Sequence, residues 1–254
     1  MINFREYRNS PDRLSDLLPW AALVRGSVVL NKDGSFLSVL QFRGPDLDSS
    51  TEEELLVKSA QINNVLKRLG SGWALFSEGK RSVVNTYPDS SFPNPVAALI
   101  EAKRKQQFLS DNHFESSYYL SFVFLPQEEN RAKLASRFVK NQESEAINYE
   151  FSLQMFMEEI ERMHDLFERM FPEVSLLEDE RLLTYLHSTT STKSHHVSLP
   201  ETPMYLDAIL GDSSLLGGFH PKLGDKYISV IGILGFPGSS QPGLLDQLNR
   251  IPNQ

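Results

Sequence analysis

Two short apolar runs, Val28 to Leu30 and Phe36 to Phe42, flank Asn31-Lys32-Asp33-Gly34-Ser35. The Asp-Gly pair supplies the positive-φ position that a tight reversal needs, so the pattern predicts a β-hairpin. Along its second strand Phe36, Ser38, Leu40 and Phe42 share one face, while Leu37, Val39, Gln41 and Arg43 share the other. Both faces are partly apolar, which places that strand inside a sheet. Gly44-Pro45 ends it.

A helix follows. Thr51 and Glu54 have capping-box spacing, and Glu52, Glu53 and Glu54 suit the positive end of a helix dipole. Leu55, Ile62, Val65, Leu66 and Leu69 form its stripe, Lys67 and Arg68 its last turn, and Gly70 its expected C-cap. Trp73 to Ser77 and Arg81 to Tyr87 read as two short strands turned by Glu78-Gly79-Lys80. Pro88 to Pro95 is a connector, and Asn94 before Pro95 is an N-cap with proline at N1. It opens a helix through Val96, Leu99, Ile100 and Phe108, after which Ser117 to Leu125 is the strongest strand in the chain. The expected fold class is therefore α+β. Its first unit, residues 17–126, reads as a ferredoxin-like βαββαβ with an extra N-terminal strand and two helices on one face.

Residues 127–172 read as a helical segment: a charged helix from Glu128 to Val139, then a long one from about Glu143 to Phe171, ended by Pro172. In the long helix Ala146, Tyr149, Leu153, Phe156, Ile160, Met163, Phe167 and Met170 alternate spacings of three and four. That is an a/d seam. It can pack on the chain's own sheet or on Leu182, Leu183 and Leu186, or it can serve as a docking ridge. On the docking reading Tyr149, Phe156, Met163, Phe167 and Met170 are the candidate partner contacts, with methionines giving an adaptable surface. A second apolar line, Ile147, Phe151, Met155 and Leu166, asks for a second neighbour.

Residues 173–254 read as a second, incomplete α+β unit. It has a short strand at Glu173 to Leu177, a helix at Asp179 to His187 and a polar loop at Ser188 to Ser198. A strand at Tyr227 to Leu234, a turn cluster at Pro237 to Pro242 and a helix at Leu244 to Ile251 follow. The unit stops one strand short, which suggests a piece of something longer. Residues 1–16 read as a polar arm.

Bulk properties narrow the function. The 254 residues carry a net charge of −8 and a pI near 5.3, which argues against a dedicated nucleic-acid binder. The absence of cysteine excludes disulfides, thiolate zinc sites and cysteine nucleophiles. The N-terminal residues lack the apolar core of a signal peptide, and no run is long enough to span a membrane.

Candidate chemistry is sparse. A P-loop needs G-x-x-x-x-G-K-[ST], but the one Gly-Lys dipeptide, Gly79-Lys80, precedes Arg81 and falls in the expected turn. No nucleotide-binding residues and no catalytic residues are therefore assigned. His113-Phe114-Glu115 has the H-x-E spacing of zinc deaminases without their cysteine half. His195-His196, with His187 eight residues earlier, offers metal donors, but a Ser/Thr-rich loop gives them little support, so no metal site is assigned. The aromatic RNA-binding signature is absent from the strand holding Tyr118, Tyr119, Phe122 and Phe124, so specific nucleic-acid binding is not expected.

Several longer words carry a resemblance: LPWAAL, VVLNKDGSF, FRGPDLDS, VLKRLGSGWALF, TYPDSSFPNPV, HFESSYYL and GGFHPKLGDKYISVIGILGFPGSSQPGLLDQLNRIP. In this order they resemble the N-terminal domain of the TrbE/CagE-type conjugal transfer ATPases of type IV secretion systems. The resemblance implies a bacterial protein, cytoplasmic and peripheral to the inner membrane. It implies a non-catalytic assembly and docking domain that couples the motor to other type IV secretion subunits, including small inner-membrane proteins. Its own C-terminal motor domain and self-association are further implied contacts. ATP and Mg are implied for the full-length family only, with no cofactor in this chain. The alternative is a stand-alone α+β module that binds a ligand or nucleic acid without motor activity.

Overall fold

The structure, a computed structural model, describes residues 13–44, 50–84, 87–110, 113–126, 142–232, 234–235 and 238–239, with backbone alone over 142–148. The expected helices at 128–139 and 244–251 lie outside the described residues, as do Pro45, most of the N-terminal arm and the side chains of Ala146 and Ile147.

Elements run α1 (Leu14–Leu17), β1 (Trp20–Arg25), β2 (Val28–Asn31), β3 (Phe36–Arg43), α2 (Glu52–Leu66), β4 (Trp73–Val84), α3 (Pro95–Ser110) and β5 (His113–Phe124). After these come α4 (Gln142–Glu168), β6 (Glu173–Leu176), α5 (Asp179–Thr190), α6 (Leu206–Leu210), β7 (Leu215–Leu216), β8 (Lys222–Leu223) and β9 (Lys226–Tyr227). The α+β class is as expected.

The β2–β3 hairpin forms with Gly34 at φ +86, and the Asp33 carboxylate accepts from the Ser35 amide at 2.9 Å. β3 is the central strand. β5 covers one of its edges from Phe36 to Phe42. The other edge is shared end to end, β2 pairing at Phe36 and Leu37 and β6 at Leu40 to Arg43. β1 was not foreseen. Only Gly26-Ser27 separates it from β2, with Arg25 paired to Val28, and that two-residue link was the available signal.

Three expectations are corrected. The two strands expected on either side of Glu78-Gly79-Lys80 are one strand. β4 pairs with β5 from Trp73↔Phe124 to Val84↔His113, with Gly79 opposite Tyr118. Twelve consecutive ladder positions outweigh a local turn preference, because each unmade backbone hydrogen bond would leave a polar group without a partner. The unit is thus βαβαβ after the leading hairpin, one strand fewer than expected. Second, the boundary at residue 173 does not separate two units, since β6 is hydrogen-bonded into the first sheet. Third, the strand expected from Tyr227 to Leu234 is limited to β9, and Val230, Ile231 and Leu234 stand exposed. Apolar alternation makes a strand only where a partner edge is present to receive it.

Helices cover both faces of the sheet, not one. Phe36, Leu40, Leu120 and Phe122 pack under α4 and α2, against Val65, Leu153, Phe156, Ile160, Met163 and Phe167. On the opposite face Val29, Leu37 and Val39 pack under α1, α5 and α6, against Leu14, Leu182, Leu183, Leu186, Leu206 and Leu210. The doubly apolar β3 demands this, because each of its faces must be removed from water. The Thr51/Glu54 capping box is present, but α2 ends at Leu66 with Lys67 as C-cap, short of Gly70. Tightened bonds from Arg68 to Val65 and from Leu69 to Leu66 finish it.

Candidate functional site

The long-helix seam turns inward. Phe156, Met163 and Phe167 are buried at 1%, 0% and 2% exposure, while Tyr149 and Met170 are half-buried against the same core. Phe156 stacks on Trp73 at 5.6 Å, and Tyr149 lies 5.4 Å from Phe36. Burial raises the Tyr149 phenol above its ordinary pKa. These five candidate contacts therefore hold the domain together and present no open ridge, because the sheet beneath supplies the apolar surface they need. Of the second line, Phe151 and Met155 face outward and Leu166 packs against the core.

The apolar surface left outside lies elsewhere. α3 begins as expected, Asn94 Oδ1 accepting from the Val96 amide at 2.9 Å, yet none of its residues is buried. Val96, Leu99 and Ile100 are 63%, 61% and 50% exposed, and at spacings of three and four they share one helical face. The helix is held from its other side. The Tyr87 hydroxyl donates to Glu101 at 2.7 Å, and Phe108 stacks on His113 at 4.0 Å. That stack places His113 in a packing role, apart from any metal-binding H-x-E arrangement. β4 is the outer strand of the sheet, with Phe76 exposed on it.

The Gly79-Lys80 dipeptide sits mid-ladder in β4, a geometry that does not gather successive amides into a phosphate cradle. Beside it a cleft of about 230 Å³ is lined by residues including Lys80, Tyr119, Arg181, Tyr185, His195 and His196. The Tyr185 hydroxyl donates to Glu78 at 2.8 Å, tying α5 to β4, and burial pushes its phenol well above the ordinary value. His196 turns to Glu180, Nε2 to Oε2 at 2.9 Å. The Leu199 amide, followed by His196, holds the Glu180 carboxyl below the usual carboxylate range.

His187 and His195, eight residues apart, come together with ring centroids 4.2 Å apart. Asp212, which no sequence pattern singled out, joins them, its Oδ2 3.2 Å from His187 Nε2. No local signal marks Asp212, since it arrives from beyond α6. Burial works against its charge, but the Ser191 and Ser213 hydroxyls and nearby His187 outweigh that and hold the carboxyl far below its ordinary pKa. His187 is 1% exposed, and neither ring nitrogen has a hydrogen-bond partner among the described residues. Each such buried nitrogen costs roughly 1–3 kcal/mol.

The comparisons with known proteins agree with the resemblance. The family model described as type IV secretion system ATPase VirB4/TrbE, N-terminal domain, matches residues 27–132. In Sinorhizobium fredii a probable conjugal transfer protein TrbE is split between two chains, and the first of them is 38% identical over 132 residues, covering 50% of this chain and 89% of that one. The chain belongs to the VirB4/TrbE family. The conjugal transfer protein TrbE of Rhizobium radiobacter is 32% identical over 270 residues, 99% of this chain but 33% of that protein. The type IV secretion system protein virB4 of Bartonella henselae is 20% identical over 252 residues, 93% of this chain and 32% of that protein. This VirB4/TrbE chain thus spans about a third of the length of those two relatives. The stretch matched by the family model takes in β2 to β5 with α2 and α3, whereas α4, β6, α5 and the histidine cluster follow it. Among the described residues no helix is long and apolar enough to cross a membrane.

Proposed function

We propose that this chain is the assembly domain of a TrbE-type ATPase, a non-catalytic body that couples the family's motor to other type IV secretion subunits. On this reading it works at the cytoplasmic face of the bacterial inner membrane, with small inner-membrane proteins among its partners. ATP and Mg are handled by the motor domain, and this chain supplies neither a phosphate cradle nor a metal for hydrolysis.

The observation that carries the reading is α3. A 16-residue helix with Val96, Leu99 and Ile100 on one face, each at least half exposed, presents apolar surface that a partner can bury. Such a centre with a polar rim is the ordinary anatomy of a protein interface. The acidic charge and the absent P-loop fit a gripping role better than a chemical one.

The test is capture of type IV secretion subunits by the tagged chain in cells carrying such a system, compared with a Leu99→Glu, Ile100→Glu double variant. Both side chains are exposed, so the variant should keep its circular dichroism and melting temperature while capture falls at least tenfold. Equal capture by the folded variant would overturn the assignment to α3. ATP hydrolysis by the purified chain would overturn the non-catalytic role.

A further inference from the structure

We propose that His187, His195 and Asp212 form a binding site for a single divalent zinc ion. The three residues come from α5, from the loop that follows it and from the segment after α6, and one donor atom of each lies within 4.8 Å of the others. The set is two imidazoles and a carboxylate, the nitrogen and oxygen donors that zinc takes in sites open to water at a fourth position.

His187 is the independent indication. It is buried, and both its nitrogens lack a hydrogen-bond partner among the described residues. Its Nε2 lies 3.2 Å from the Asp212 carboxylate, yet the pair does not have hydrogen-bond alignment. Two donors each about 2.0–2.2 Å from a tetrahedral zinc stand roughly 3.3 Å apart, so the spacing matches two ligands of one ion. The carboxylate is also held from outside. Ser213 Oγ donates to Asp212 Oδ1 at 2.9 Å and meets Ser191 Oγ at 3.2 Å, leaving Oδ2 directed at the cluster. Such support of a ligating carboxylate is what metal sites use to fix orientation. Lys193 Nζ, 3.5 Å from Oδ2 and largely exposed, is the one cation in contact with the carboxylate among the described residues. It can swing into water when an ion arrives. His195 and Asp212 are the exposed members, so they give the ion its path in.

The consequence is structural. An ion here would clamp the loop after α5 and the chain beyond α6 onto a helix already seated in the core. Those segments otherwise meet through small contacts, such as Gly224, whose added Cβ would stand 3.0 Å from Thr192 Oγ1.

The test uses the whole purified chain, stripped with a chelator and titrated with zinc chloride against a chromophoric competitor. One zinc per chain should bind, and the melting temperature should rise with zinc. His195→Ala and Asp212→Asn, at exposed positions that leave the core intact, should weaken binding by more than the roughly 10–100-fold that outer partners of a site are worth. They should also abolish the zinc-dependent rise in melting temperature. His196→Ala should do neither, and Lys193→Ala should tighten binding. No saturable zinc binding would overturn the proposal, as would binding equally sensitive to His196→Ala or indifferent to His195→Ala and Asp212→Asn.

Discussion

Replacing Phe156 by alanine separates a core seam from a docking ridge. The ring is 1% exposed and sits among Phe36 at 5.6 Å, Trp73 at 5.6 Å and Phe124 at 6.4 Å. These neighbours come from β3, β4 and β5. A buried phenylalanine removes roughly 150–250 Å² from water. At about 25 cal/mol per Å² that is roughly 4–6 kcal/mol, an upper bound because the unfolded chain already hides part of the area. Alanine keeps one carbon of it, and large-to-small replacements of this kind cost about 3–5 kcal/mol. A cost of about 4 kcal/mol is expected, since neighbours on three hydrogen-bonded strands cannot close the cavity together. Urea unfolding followed by circular dichroism should show the midpoint falling with an unchanged slope. Phe151→Ala, at a position 66% exposed on the same helix, should stay within about 0.5 kcal/mol. A loss below about 1 kcal/mol for Phe156→Ala, or equal losses for both variants, would refute the inward seam.

Two further outcomes follow from single positions. Gly72 has φ +91, and a Cβ there would meet the Leu125 carbonyl oxygen at 2.7 Å. Gly72→Ala should therefore cost about 1–3 kcal/mol in the same assay, while Gly70→Ala, which meets nothing within 4 Å, should be near neutral. Glu180 has its folded pKa lowered from 4.5 by the Leu199 amide and then by His196. A lowered carboxyl contributes stability that is present above its unfolded pKa and lost as pH falls through the folded one. The melting-temperature gap between wild type and Glu180→Gln should thus be full at pH 6 and close below pH 4.5; a gap that stays constant down to pH 3 would contradict the assignment.

Features whose partners lie within a few residues were legible in the chain. The Asp33-Gly34 reversal, the Thr51/Glu54 box and the Asn94-Pro95 start each satisfy backbone groups with neighbouring atoms. They formed as read. The seam of α4 was legible as a stripe too, because its period is a local property, and so was the doubly apolar β3. What covers a stripe is another matter. Whether Phe156 met a partner protein or its own sheet depended on strands some 80 to 120 residues earlier.

Only the tertiary structure decided the rest, through pairing across long separations. Gly79 reads as a turn until β5 lies beside it and offers Tyr118 as a ladder partner. Residues 173–176 read as the start of a new unit until the free half of the β3 edge takes them in. Ile228 to Leu234 carry the composition of a strand, but without an adjoining edge the backbone has no ladder to join. His187, His195 and Asp212 converge for the same reason. Their chemistry is written residue by residue, whereas their meeting depends on how α5 and α6 settle against one hydrophobic face.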